Sequence, residues 1–103
     1  MNEGNSIRLI RKKMKLTQQE MADKCQLSQT ALSQIENGLK RPSVRTLKKI
    51  CTALDIPEGL IYILGMEQAD VPASKKHLYD MLYPSIMQMA LHIITGETEG
   101  KAE

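Results

Sequence analysis

The stretch from Leu16 to Gly38, LTQQEMADKCQLSQTALSQIENG, admits few arrangements. Thr17-Gln-Gln-Glu20 has the form of a capping box: the threonine oxygen takes the amide three residues on, and the glutamate reaches back to the threonine amide. It predicts a helix from about Gln18, with Met21, Ala22 and Cys25 on one face. Gln26-Leu27-Ser28 breaks that period, and serine is a preferred N-cap. A second helix over 28–37 then turns Ala31, Leu32 and Ile35 inward. Asn37-Gly38 ends it, because both residues tolerate the left-handed conformation common at helix ends. The result is two short helices joined by a tight turn.

The outward face of the second helix carries Gln29, Thr30, Ser33 and Gln34. All are uncharged and all form hydrogen bonds. Glutamine pairs bidentately with the adenine edge in the major groove, and serine or threonine contacts several bases. An ordinary solvated helix face has the same chemistry, so the flanking sequence has to decide between them.

Charge is the first flanking signal. The net charge is only +2, but residues 1–49 hold 11 Lys/Arg against 4 Asp/Glu, and residues 50–103 hold 3 against 8. A basic half is the electrostatic footprint of a polyanion binder. A chain of 103 residues suits one domain with an appendage, and 42% hydrophobic residues exclude wholesale disorder. With no Trp or Phe and three Tyr, the core has to be aliphatic and Met-rich, which argues against aromatic platforms for single strands.

Other classes find little support. Cys25 and Cys51 fall at inward helical positions without CxxC spacing, as reduced core thiols of a cytoplasmic protein do. His77 and His92 lack the partners of a metal site, so neither metal nor cofactor is expected. No nucleophile–base set, carboxylate pair or Gly-rich phosphate loop suggests an enzyme. The N-terminus, MNEGNSIRLIRKK, has no apolar run, and no stretch has the length of a membrane span.

Taken in order, residues 1–5 read as a disordered start and Asn5 or Ser6 as the cap of a first helix, Ser6 to about Lys13. Ile7, Ile10 and Met14 form its buried stripe; Arg8, Arg11, Lys12 and Lys13 form a basic face. After Gly38, Pro42 disfavours helix before it, leaving Leu39 to Arg41 as a loop with Lys40 and Arg41 just beyond the reading helix. Ser43 caps a fourth helix, Val44 to Leu54, with Val44, Leu47, Ile50, Cys51 and Leu54 facing inward. Asp55-Ile-Pro57 leads to a fifth, about Glu58 to Leu64, ended by Gly65.

With these elements in place the chain, from Ile7 to Leu64, resembles the Xre/lambda-repressor-type (Cro/cI-like) helix-turn-helix family. The matching features are IRLIR, LTQQEMA, LSQTALSQIENG, the RPS loop and VRTLKKICTALDI, in this order and spacing. The resemblance implies an all-α fold, a five-helix lambda-repressor-like domain with a C-terminal helical extension. It implies base reading by Gln29, Thr30 and Gln34 with Ser33 between them, and phosphate contacts by Gln18, Asn37, Lys40, Arg41 and Arg11. It also implies a partly buried ion pair between Arg11 and Glu36. The family often has glycine at the turn where this chain has Gln26; a left-handed conformation there costs about 1 kcal/mol.

Residues 6–65 thus form the helix-turn-helix domain, 66–74 a linker, 75–96 a helical extension and 97–103 a disordered acidic tail. The extension, KKHLYDMLYPSIMQMALHIITG, has apolar residues at helical spacing and no formal charge from Met81 to Ile94, so it needs cover. Pro84 predicts two short helices or one kinked helix. Three covers compete: its own domain, the same helix of a second subunit, or an apolar ligand or partner protein. The second is preferred, through Leu78, Met81, Leu82, Ile86, Met89 and Ile93, because two domains about a twofold axis reach half-sites about 34 Å apart.

The function expected from the sequence is therefore a sequence-specific, homodimeric regulator of double-stranded DNA, a repressor, with helix 28–37 in the major groove. The alternative is an antitoxin or interaction adaptor whose tail binds a partner protein.

Overall fold

The computed structural model describes residues 1–96, and within them every regular element is helical. The order is α1 (Glu3–Lys13), α2 (Gln18–Lys24), α3 (Gln29–Glu36), α4 (Val44–Leu54), α5 (Gly59–Gly65) and α6 (Lys76–Thr95). Two 3₁₀ turns, Gln68–Asp70 and Ala73–Lys75, occupy the link before α6. The expected tail at 97–103 lies outside the described residues.

Local chemistry sets these boundaries. The Thr17 hydroxyl accepts from the Glu20 amide at 3.1 Å, and the Thr17 amide donates to the Glu20 carboxylate at 2.8 Å, so the capping box closes in both directions. Ser28 and Ser43 cap α3 and α4 through the amides of Ala31 and Thr46. Gly38 leaves α3 with φ +76°, and its amide bonds the Ile35 carbonyl.

The core is aliphatic. Ile7, Ile10, Met21, Leu32, Ile50 and Ile61 are fully buried, and Cys25 and Cys51 lie among them as free thiols. Burial pushes the Cys25 thiol up and the Cys51 thiol up to about 11, so both stay protonated and unreactive. α1 packs against α3, α5 and α6.

Four expectations need correction. Residues 1–5 are ordered: α1 begins at Glu3, and the Asn2 side chain caps it by accepting from the Asn5 amide. Ser6 is therefore no cap but a buried position inside α1. The reason is tertiary, because Gly4 lets α1 lie directly on the Ile35 carbonyl, where any Cβ would collide. Val44, placed inward by periodicity, is 64% exposed at the first position of α4, ahead of the first core turn. α5 starts one residue later than its pattern, at Gly59, after a tight turn in which the Leu60 amide bonds the Pro57 carbonyl.

The extension is one helix of 20 residues that runs through Pro84. One face lies on its own domain: Ala90 and Ile94 are buried, and Met87 and Leu91 pack against the core. The Tyr79 and Tyr83 hydroxyls donate to the carbonyls of Met66 and Ile63 at 3.1 and 2.5 Å. Leu78, Met81, Leu82, Ile86, Met89 and Ile93 remain exposed on the other side. No helix among the described residues is long and apolar enough to cross a membrane.

Candidate nucleic-acid interface

α2 and α3 meet at the turn 25–28, and the turn is held from two sides. Gln26 adopts φ +59°, the left-handed conformation for which glycine is best suited. Its carbonyl accepts from Lys49 Nζ at 3.1 Å, and the Leu27 amide bonds the Ala22 carbonyl at 2.8 Å. α4 thus pins the turn that sets the angle of α3.

The geometry brings Gln18 from the first turn of α2 together with Gln29, Thr30, Ser33 and Gln34 from α3. These five line one shallow, polar concavity of about 360 Å³. None carries a charge, and all have donors and acceptors.

Beneath this surface lies a charged clamp. The Glu36 side chain is fully buried at the end of α3. It receives Arg11 Nε at 2.8 Å and Nη2 at 3.0 Å, and Gln18 Nε2 at 3.1 Å. Arg11 Nη1 donates to the Leu16 carbonyl, so all three guanidinium nitrogens bond within the protein. Burial alone would raise the Glu36 carboxyl; the hydrogen bonds from Arg11 and Gln18 and the charges of Arg11 and Arg8 outweigh it and hold the carboxyl below its ordinary value. One carboxylate thereby ties α1, α2 and α3 together.

Arg8 extends the clamp. Its Nη2 donates to the Glu36 carbonyl at 3.2 Å and to Asn37 Oδ1 at 2.7 Å, and Asn37 Nδ2 reaches the Ser33 hydroxyl at 3.3 Å. Asn37 is thus exposed and oriented at once. Lys40 and Arg41 lie apart from the concavity, in a cleft of about 310 Å³ beside Asn2, Glu3 and Gly4. Arg41 pairs with the largely buried Glu3 at 3.2 Å while remaining 77% exposed. Lys24, Arg45, Lys48 and Lys49 surround a separate opening between α2 and α4.

Arg8, Glu3 and Lys49 escaped the sequence reading as holders of the site. Asn2 followed by Glu3, a cap residue and an acidic first-turn residue, is the signal that could have moved the start of α1. Nothing local marks the pairing of Glu3 with Arg41, which lies 38 residues away. Among the described residues no cluster of His, Cys, Asp or Glu is arranged to hold a metal ion.

A family profile described as helix-turn-helix matches residues 7–61, which is more than half of the chain and contains α2, α3 and α4. The chain belongs to this family, of the Xre/lambda-repressor type. Helix-turn-helix domains dock the second helix of the motif in the major groove; α3 is the second helix of the motif in this chain. Among curated proteins, the immunity repressor protein of Bacillus phage phi105 is 43% identical over 74 residues, covering 68% of this chain and 51% of its own. The HTH-type transcriptional repressor RghR of Bacillus subtilis is 41% identical over 64 residues, covering 60% of this chain and 47% of its own. The chain spans about half the length of these two relatives. The uncharacterized HTH-type transcriptional regulator YqaE of Bacillus subtilis is 34% identical and covers 91% of this chain and 90% of its own, so the likeness extends beyond the family domain. No solved structure matches.

Proposed function

We propose that the chain is a sequence-specific DNA-binding transcriptional regulator, acting as a repressor, that places α3 in the major groove and binds two operator half-sites as a homodimer. The observation that carries this reading is the concavity shared by Gln18, Gln29, Thr30, Ser33 and Gln34, mounted on the buried Arg11–Glu36 clamp. Uncharged donors and acceptors on a rigid helix are what base reading requires, and the clamp removes the rotational freedom that would blur it.

In this reading Gln29, Thr30, Ser33 and Gln34 face base edges. Gln18, Asn37, Lys40 and Arg41 hold phosphates on either side, and the basic first half supplies sequence-independent, salt-dependent affinity. Arg11 acts through Glu36 on the pose of α3 rather than on a phosphate. The sign of regulation follows the phage repressor and RghR, both named as repressors. The exposed face of α6 supports the dimer, and it also keeps a second reading in play, an adaptor whose tail holds a partner protein.

Selection of bound duplexes from a random library, with sedimentation in the same buffer, separates the two. A regulator enriches a site with two inverted halves about 34 Å apart and sediments as a dimer. An adaptor enriches no sequence.

A further inference from the structure

α6 has two apolar faces, and its own domain covers only one. Tyr79 and Tyr83 stack with ring centroids 4.7 Å apart on the docked side, next to the buried Ala90 and Ile94. On the opposite side Leu78, Met81, Leu82, Ile86, Met89 and Ile93 are 39–66% exposed. At about 3.6 residues per turn they form one stripe, with Ser85 near its midline. Beside the first half of the stripe is an apolar groove of about 420 Å³ lined by Ile63, Met66, Val71, Leu78, Leu82 and Ile86.

The start of α6 runs against its own dipole. It begins at Lys75-Lys76 with no acidic residue in its first turn and no side-chain cap. Cations belong at a helix C-terminus, so this end has the unfavourable sign for a lone helix. A second α6 lying antiparallel reverses this, because it brings a partially negative C-terminal end toward Lys75 and Lys76. A parallel neighbour would set these lysines against their own copies.

We propose that the exposed face of α6 is covered by α6 of a second copy, antiparallel, about a twofold axis passing beside Ser85 and Ile86. This rests on the dimeric reading above and gives it a geometry. The stripe is self-complementary in this arrangement. Counting inward from the ends, Leu78 meets Ile93 of the second copy, Leu82 meets Met89, and Ser85 meets Ile86. Each such contact occurs twice, as a twofold interface requires. Met89 and Ile93 of one copy enter the groove of the other, and the small Ser85 side chain lets the helices approach at the axis.

The test uses the full chain with cysteine introduced on the exposed face and a short bismaleimide cross-linker; the native Cys25 and Cys51 are buried and do not compete. Ser85→Cys is expected to cross-link with itself. Leu78→Cys and Ile93→Cys are each expected to cross-link poorly alone and efficiently when the two proteins are mixed and allowed to exchange subunits. Self-linking of Leu78→Cys as efficient as that of Ser85→Cys would mean parallel helices and overturn the proposal. A wild-type dimer by sedimentation that gives neither the Ser85→Cys link nor the mixed link would also overturn it while leaving the dimeric reading intact. A wild-type monomer at all concentrations would remove the dimeric reading itself.

Discussion

Arg11 and Glu36, 25 residues apart, are joined by two hydrogen bonds of 2.8 and 3.0 Å between a nearly buried guanidinium and a fully buried carboxylate. Neither charge could stay at that depth alone. Glu36→Gln should therefore cost about 3 kcal/mol, because it leaves the Arg11 charge uncompensated, and Arg11→Met somewhat less, because Glu36 keeps Arg8 at 3.7 Å and the bond from Gln18. Arg11→Met combined with Glu36→Gln should cost clearly less than the sum of the two. Urea unfolding of the four proteins measures this; strictly additive losses would mean that the pair is not coupled.

The same carboxyl sets an acid limit. Its folded pKa lies below its unfolded one, so the native state binds fewer protons there and stability rises with pH. The contribution is fully present above the unfolded value of about 4.3 and is lost as pH falls through the lower folded value. Urea midpoints between pH 7 and pH 3 should fall more steeply for the wild type than for Glu36→Gln. Parallel curves would remove Glu36 from the acid response.

The sequence made α2, α3 and α4 legible, because capping residues and apolar period agree in each: Thr17 with Glu20, Ser28 with Asn37-Gly38, Ser43 with Leu47, Ile50 and Leu54. The outward face of α3 was legible from its periodicity, whereas the concavity it shares with Gln18 is a tertiary feature. The start of α1 was not legible in the same way. Gly4 looks like a helix breaker until Ile35 lies against it, and Glu3 looks solvated until Arg41 reaches it. The docked face of α6, with Ala90 and Ile94 buried, was hidden for a related reason. Apolar residues surround much of that helix, and periodicity alone cannot say which of them the domain takes first.

The first turns of α1 give a pair of opposite outcomes. Gly4→Ala drives a methyl into the Ile35 carbonyl and should destabilise by about 1–3 kcal/mol. Ser6→Ala removes a buried hydroxyl with no hydrogen-bond partner and should be neutral or stabilising by up to about 1 kcal/mol. Thermal melts compare the two directly. A tolerated Gly4→Ala would mean that α1 does not rest on the Ile35 carbonyl.

Gln26 holds a left-handed conformation at the turn. Gln26→Gly should relieve about 1 kcal/mol of steric cost, partly offset by the greater freedom of glycine in the unfolded chain. The expected net change is a small gain in the urea midpoint, with no loss of DNA affinity because the Lys49 bond is to the backbone. A Gln26→Gly protein of lower stability would place the side chain, not the backbone, in the turn.

On the proposed function, α3 reads sequence through uncharged side chains. The direct measurement is the affinity of Gln29→Ala/Gln34→Ala for a selected duplex and for random DNA, across a range of salt. If each bidentate contact supplies about 1–3 kcal/mol, affinity for the selected duplex should fall at least about tenfold. Binding to random DNA and the slope of log affinity against log salt should stay as in the wild type, since the phosphate contacts are untouched. Equal losses on both duplexes would contradict the assignment of Gln29 and Gln34 to base edges.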